Sequence, residues 1–228
     1  DKIVFSTYFP EFDNYDIFLM DVSGENRVNL TNSDSYEKFP QFSPDGSFII
    51  YQGWNKGKMD IFFASLLEQN NVNITRNTNS HDIISHGNSF SPDGDYIVFT
   101  SERDGNRNIY ITSISGNYYD KLTNNESNDF EPTFSSNGEY IAFTSERDGN
   151  KEIYLYDIQK KISQNLSNNN GNDWNPRFDS NSRKIVFQSD RDGNWEIYSM
   201  DLNGSNQMNI TNHPSTDYSF IILPNIDQ

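Results

Sequence analysis

The chain has 228 residues, 33% of them hydrophobic and 14% aromatic, which suffices for a packed core in one large domain or two small ones. Seventeen Lys and Arg stand against 33 Asp and Glu, and the net charge of −16 opposes binding to nucleic-acid phosphates or an anionic membrane while favouring cationic partners. With no cysteine there is no disulfide, thiolate nucleophile or Cys-ligated zinc, and no apolar run is long enough to cross a membrane.

The first predicted element is the apolar run "KIVF" at 2–5, and it returns as "FIIY" (48–51), "YIVF" (96–99), "YIAF" (140–143) and "KIVF" (184–187), at spacings of 46, 48, 44 and 44. A second run follows in each unit, anchored at Ile17, Ile61, Ile109, Ile153 and Ile197. A third anchor lies 13 residues beyond each of these: Leu30, Ile74, Leu122, Leu166 and Ile210. A fourth ends in an aromatic before a turn, as in "FPQFSPDG" and "EPTFSSNG". Short runs of Ile, Val, Phe and Tyr between Gly, Asn, Asp, Ser and Pro predict strands joined by tight turns, and runs apolar on both faces predict sheets covered on both sides. No stretch carries the 3.6-residue spacing of a helix.

Four-strand units of this length are the blades of a β-propeller. The expected fold is all-β, a single domain over 1–228, with five four-stranded antiparallel blades whose repeat units start near 2, 48, 96, 140 and 184. The last stretch, "DYSFIILPN" (217–225), aligns with "NDFEPTFSSN", so it is expected to supply the inner strand of the N-terminal blade and close the ring. A six-bladed ring is the rival if the chain is truncated. No signal peptide is recognised, and a first residue of Asp rather than Met implies a processed or excised product.

Between the second and third predicted strands the chain writes "SERDGN" at 101–106, the same at 145–150, and "SDRDGN" at 189–194. Asp-Gly between apolar runs is a hairpin signal, because Gly accepts the positive φ of the turn. The order "FSPDG", "YIVFTSERDGN", "IYITSISG" and "KLTNN" resembles the WD40-like repeats of the TolB propeller family of Gram-negative envelopes. Related repeats occur in propellers attached to serine peptidases and in oligogalacturonate lyases. The resemblance implies six blades where five are counted, a separate N-terminal domain that this chain lacks, a periplasmic or secreted location, and binding of a peptidoglycan-associated lipoprotein.

Five acids fall five residues before the inner-strand aromatic or at the equivalent place: Glu37, Asp82, Asp129, Asp173 and Asp217, where Asp82 lies in the insertion "SHDIISHG". Gathered at the mouth of a central channel they would repel one another and call for a divalent cation such as calcium, or for a Lys or Arg from a partner. The plainer reading pairs them with backbone N–H groups or with Arg103, Arg147 and Arg191. "SDRDGNWEIY" alternates acids like a calcium loop, but its Gly is misplaced and no helices flank it, so it reads as a turn. His81, His86 and His213 all fall in loops between blades; the resemblance to the lyases implies metal ligation, and their polar surroundings imply ordinary surface residues. No "GxSxG" elbow is present, and no resident cofactor is expected.

Aromatics give the partner-binding candidates. The first hairpin is two residues longer and reads "STYFPEFDNYD", placing Tyr8, Phe9, Phe12 and Tyr15 where the other units carry charges; Trp54 replaces an acid, and Trp174 precedes "NPRF". The expected function is a non-enzymatic, monomeric scaffold that binds a protein or peptide and prefers cationic groups. A carbohydrate-active propeller, either a metal-assisted polysaccharide lyase or a glycosidase, is the alternative, and a bare repeat scaffold is the third reading.

Overall fold

Gly105, Gly149 and Gly193 take φ values of 99°, 96° and 97°, and each closes a two-strand hairpin whose strands begin or end within a few residues of it. A side chain would strain that backbone, which is why the turn repeats glycine. In the computed structural model residues 1–67, 70–76, 80–85, 87 and 89–222 are described, with the backbone alone at position 55. Among them there is no helix, and the strands form five antiparallel sheets taken up in chain order.

The first sheet holds β1 (Lys2–Phe9), β2 (Asn14–Asp21) and β3 (Val28–Asn29). The second holds β4 (Glu37–Phe42), β5 (Phe48–Asn55), β6 (Lys58–Ser65) and β7 (Asn71–Asn73). The third comprises β8 (Asp82–Ile83), β9 (Tyr96–Ser101), β10 (Asn108–Ser113) and β11 (Tyr119–Lys121). The fourth comprises β12 (Asp129–Phe134), β13 (Tyr140–Ser145), β14 (Glu152–Asp157) and β15 (Ile162–Asn165), and the fifth β16 (Asp173–Phe178), β17 (Lys184–Ser189), β18 (Glu196–Asp201) and β19 (Met208–Asn209).

Consecutive sheets pack face to face: β1 and β2 meet β4, β6 meets β8, β9 and β10 meet β12, and β13 and β14 meet β16. The core therefore lies in slabs between sheets. Ile17, Ile49 and Tyr51 join the first to the second; Ile50, Ile61, Phe90 and Phe99 the second to the third. Val98, Ile109, Ile141 and Phe143 join the third to the fourth, and Ala142, Ile153, Ile185 and Phe187 the fourth to the fifth. Each sheet in the stack thus needs apolar residues on both faces, and a fully buried Ile or Phe contributes roughly 1.5–3 kcal/mol.

The inner strands share a kink. Phe39, Glu131 and Asn175 have φ of 57°, 55° and 58°, each is followed by a proline, and the pairing register shifts across each of these sites. Proline offers no N–H to the ladder, so the strand bulges there and resumes two residues later. Ser219 has the same φ, 57°, at the corresponding place.

One expectation is corrected here. Residues 217–222 lie in no strand, and the first sheet has three strands among the described residues, so the expected closing pair with the N-terminal blade is not formed. The other inner strands reach their partners through tight turns such as the one between Phe134 and Tyr140, whereas 217–222 must find β1 at the far end of the chain. Closing so long a loop carries the larger entropic cost.

Candidate functional site

The repeated hairpin forms a contact set that its sequence spells out one residue at a time. Arg147 Nε donates to Ser145 Oγ at 2.8 Å, and Nη2 donates to both oxygens of Asp129 at 3.1 and 3.0 Å. Its guanidinium lies 4.3 Å from the centre of the Tyr154 ring. The Tyr154 hydroxyl donates to Asp148 of the same hairpin. Asn150 Nδ2 then reaches across to the carbonyls of Asn169 and Gly171 in the loop that enters the next sheet. Ser101, Arg103, Asp104, Asn106 and Tyr110 repeat this in the third sheet, and Ser189, Arg191, Asp192, Asn194 and Tyr198 in the fifth. Burial first, and then the bond to Asp192, push the Tyr198 hydroxyl up to about 12.

The hairpins and the loops between sheets therefore share one face, tied by the asparagines. Four of the five predicted acids do not stand open on it. Asp82, Asp129 and Asp173 have no exposed surface, and each is held by the arginine two residues past the serine that pairs with it in the neighbouring strand. Burial pushes the Asp82 carboxyl up even with Arg103 beside it. Glu37 occupies the same register opposite Gly53, where the position equivalent to the arginine is Asn55. Ser33 Oγ donates to Glu37 Oε1, Oε2 has no partner among the described residues, and burial pushes this carboxyl up. Asp217 is half-buried and lies beside Glu196 rather than an arginine.

Histidines do not converge. His81 Nδ1 accepts from the Met59 N–H at 3.3 Å, His213 Nδ1 accepts from the Ser215 N–H at 3.1 Å, and His86 lies outside the described residues. Among the described residues no three His, Asp or Glu side chains come together in a metal-holding group.

The first two sheets present a different surface. Tyr8, Tyr15 and Tyr36 form a row, with ring centres 4.9 Å and then 5.8 Å apart. The Asp13 carboxylate accepts from the Tyr36 and Tyr8 hydroxyls, and those bonds hold it below the usual carboxylate range. Lys38 Nζ sits 3.8 Å from the centre of the Tyr15 ring. Beside this row a groove of about 600 Å³ is lined by Tyr36, Trp54, Lys38, Lys56 and Asp34. Trp54 is 41% exposed and meets His81 edge-on at 5.8 Å; Phe12, at the hairpin tip, is 71% exposed. Equivalent cavities one and two sheets along, of about 510 and 370 Å³, are walled by Glu102, Asn106 and Arg107 and by Glu146, Asn150 and Lys151, and are polar.

Of the five predicted aromatic contacts, Tyr8, Phe12 and Trp54 are exposed, Tyr8 in the tyrosine row and Trp54 in the groove. Phe9 is half-buried against Phe18 at 6.0 Å. Trp174 lies three sheets along, against Trp195 at 5.7 Å and under Lys151 at 4.9 Å. Tyr15, one of the first hairpin's aromatics, completes the surface together with Tyr36 and Lys38, which were not singled out by sequence. Their signal was available, since Tyr36 stands where Asn128 and Asn172 stand in later units.

A family profile described as the TolB beta propeller domain matches residues 2–159, and one described as the dipeptidyl peptidase IV N-terminal region matches 126–227. A protein TolB homolog of Chlorobaculum tepidum is 33% identical over 63 residues, 28% of this chain and 14% of that protein. The crystal structure of TolB from Acinetobacter baumannii superposes with a TM-score of 0.72 at 23% identity, over 90% of this chain and 51% of that one. A putative TolB from Agrobacterium tumefaciens gives 0.65 at 20% identity, over 91% and 80%. A puromycin-hydrolyzing peptidase of Mycobacterium tuberculosis gives 0.71 at 14% identity, over 86% and 32%. The chain thus spans about half the length of the A. baumannii protein and a seventh of the curated relative.

Proposed function

The chain belongs to the TolB β-propeller domain family, and from that premise we propose that it is a non-enzymatic recognition module that binds a protein or peptide through the hairpin face of its first two blades. The observation that carries this reading is the groove at Tyr36 and Trp54. Where the third to fifth blades fill the hairpin face with a repeated arginine, aspartate and tyrosine network, these two leave aromatic rings, a lysine pair and the exposed Phe12 facing outward. Rigid aromatics that lose little entropy on contact are typical anchors of protein interfaces. The net charge of −16 steers basic partners toward the face, while Lys38 and Lys56 place a positive group beside the aromatic slot.

On this reading the molecule acts as one rigid monomeric domain outside the cytoplasm. Its five sheets are taken as blades of that propeller. Panning a displayed random peptide library tests the binding role. The wild-type protein should enrich a family of peptides, and the variant carrying Phe12→Ala and Trp54→Ala should bind them at least tenfold more weakly. Equal binding by both would move the site elsewhere.

A further inference from the structure

At the end opposite the hairpins the sheets carry a repeated corner of their own. In the first sheet Lys2 Nζ donates to Asp21 at 2.8 Å, and Asn26 Nδ2 donates to the same carboxylate at 2.5 Å. In the fifth sheet Lys184 and Asn206 do the same to Asp201, at 2.8 and 2.6 Å. Each lysine opens its strand and pairs across the ladder with its aspartate, so the corner is a lysine, an acid and an asparagine that satisfy one another. In the third sheet the same three places read Tyr96, Ser113 and Tyr118, with Tyr96 paired to Ser113 across the ladder. The cation, the acid and the amide are all gone, and two rings stand in their place.

Those rings are uncovered. Tyr96 and Tyr118 meet edge-on with centres 5.9 Å apart and are 37% and 46% exposed. They wall a groove of about 470 Å³ between the third and fourth sheets, which also has Ile111, Phe134 and Ile158 in its lining. Asp93 lines it too; Asp93 Oδ1 accepts from Ser91 Oγ and from the Asp95 N–H, and these bonds hold the carboxyl below its usual range. Asp120 accepts from the Tyr118 hydroxyl at 3.3 Å, and Lys161 approaches Asp120 at 3.7 Å with its side chain 71% exposed.

Elsewhere the chain lays its own cations on such rings: Arg103 lies 4.5 Å from the centre of Tyr110, Lys38 3.8 Å from that of Tyr15, and Lys151 4.9 Å from that of Trp174. Among the described residues no Lys or Arg lies over Tyr96 or Tyr118. The groove therefore offers ring faces and ionised acids, the two features that attract a cation, and lacks the cation. Its apolar lining decides which kind. A metal ion needs a shell of oxygens that Ile111, Phe134 and Ile158 cannot give, whereas a lysine or arginine brings a hydrocarbon stem that can lie on them while its charged end meets the rings and carboxylates.

We propose that this groove is a second binding site, which takes an extended segment of a partner protein by a lysine or arginine set against Tyr96 and Tyr118 beside Asp93 and Asp120, with an apolar neighbour resting on Ile111 and Ile158. It lies at the opposite end of the strands from the groove at Tyr36 and Trp54 and does not depend on that reading.

Three fluorescein-labelled peptides that differ only at a central residue between two leucines, carrying lysine, norleucine or glutamate there, test it by anisotropy against the full chain. The lysine peptide should bind at least about tenfold more tightly than the other two. Tyr118→Asn, which writes the residue of the first and fifth sheets into the third, should weaken that peptide about fivefold or more, while Tyr118→Phe, which keeps the ring, should bind it as the wild type does. Circular dichroism should show both variants folded, because the Tyr118 side chain is exposed. Equal binding of the lysine and norleucine peptides overturns the proposal, since the groove is then merely apolar, and so does binding that Tyr118→Asn leaves unchanged. The variant carrying Phe12→Ala and Trp54→Ala should bind the lysine peptide undiminished. If that variant loses it instead, the peptide sits on the hairpin face, which overturns this second site and leaves the first reading standing.

Discussion

The second and fourth blades place an acid at the same point of the same strand and treat it in opposite ways. Asp129 of the fourth blade is fully buried, grips Arg147, and through Tyr154, Asp148 and Asn150 belongs to a network in which each polar group has a partner. Glu37 of the second blade is as deeply set, has no arginine and keeps one oxygen unpartnered among the described residues. The Phe62 ring leans so close to Gly53 there that an added Cβ would come within 2.9 Å of it. The regular blade directs its polar chemistry inward and shows the solvent a settled surface. The second blade lets the network lapse and shows Trp54 and Tyr36 outward. On the reading proposed above, recognition uses the place where the repeat is broken, because the side chains there are not engaged in the arginine network.

The largest expected effect comes from breaking the regular network. Arg147→Ala leaves the buried Asp129 carboxylate without its counter-charge, which costs about 3 kcal/mol. At roughly 3 °C per kcal/mol for a chain of this size, Tm should fall by roughly 9 °C in calorimetry. Arg27→Ala, whose guanidinium has no carboxylate partner among the described residues and rests on the Phe18 ring, should cost less, and an equal loss from both would mean that the ring contacts rather than the counter-charge set the cost.

A smaller effect separates the two hairpins. Gly149→Ala places a side chain at φ 96° with nothing within 4 Å of the new Cβ, so the cost is backbone strain alone, about 1 kcal/mol. In the second hairpin Lys56 already sits at φ 51°, and Lys56→Gly removes a mild strain at the expense of unfolded-state entropy, so urea titration should show a change near zero. A Lys56→Gly variant destabilised as much as Gly149→Ala would mean that the lysine side chain, not the turn, holds that hairpin.

The strand plan was legible because its signals are local. The runs at 2, 48, 96, 140 and 184 begin strands, and Asp-Gly marks the turn between them. The ion pairs of Arg103, Arg147 and Arg191 were one of two open readings of the acids, and only the burial of Asp82, Asp129 and Asp173 distinguishes them. Arg27 was not legible: it reaches the Phe18 ring from a turn that holds no arginine in the other units, so no alignment of repeats sets it beside Arg147. Tyr36 and Lys38 were missed for a related reason. They line a groove between the segment at 34–38 and the hairpin at 54–57, which repeat units starting near 2 and 48 assign to different units. Trp174 was visible as an exposed type of residue, but the Trp195 ring packed against it lies 21 positions away, just before β18.

The smallest expected effect is the most specific to Glu37. Burial raises its carboxyl above the ordinary value, opposed by the hydrogen bonds from Ser33 and Thr31. The folded chain therefore holds this proton more tightly than the unfolded chain does. The stability so gained is fully present below the unfolded carboxyl pKa and is lost as pH rises through the folded value. Glu37→Gln keeps an oxygen for Ser33 and cannot ionise. Its Tm should match the wild type at pH 4 and exceed it by up to about 3 °C at pH 8, while Asp129→Asn, which strips the counter-charge from Arg147, should be destabilising at pH 8. If Glu37→Gln lowered Tm at pH 8 as well, the carboxylate would have to be engaged by a cation, and the second blade would follow the rule of the fourth after all.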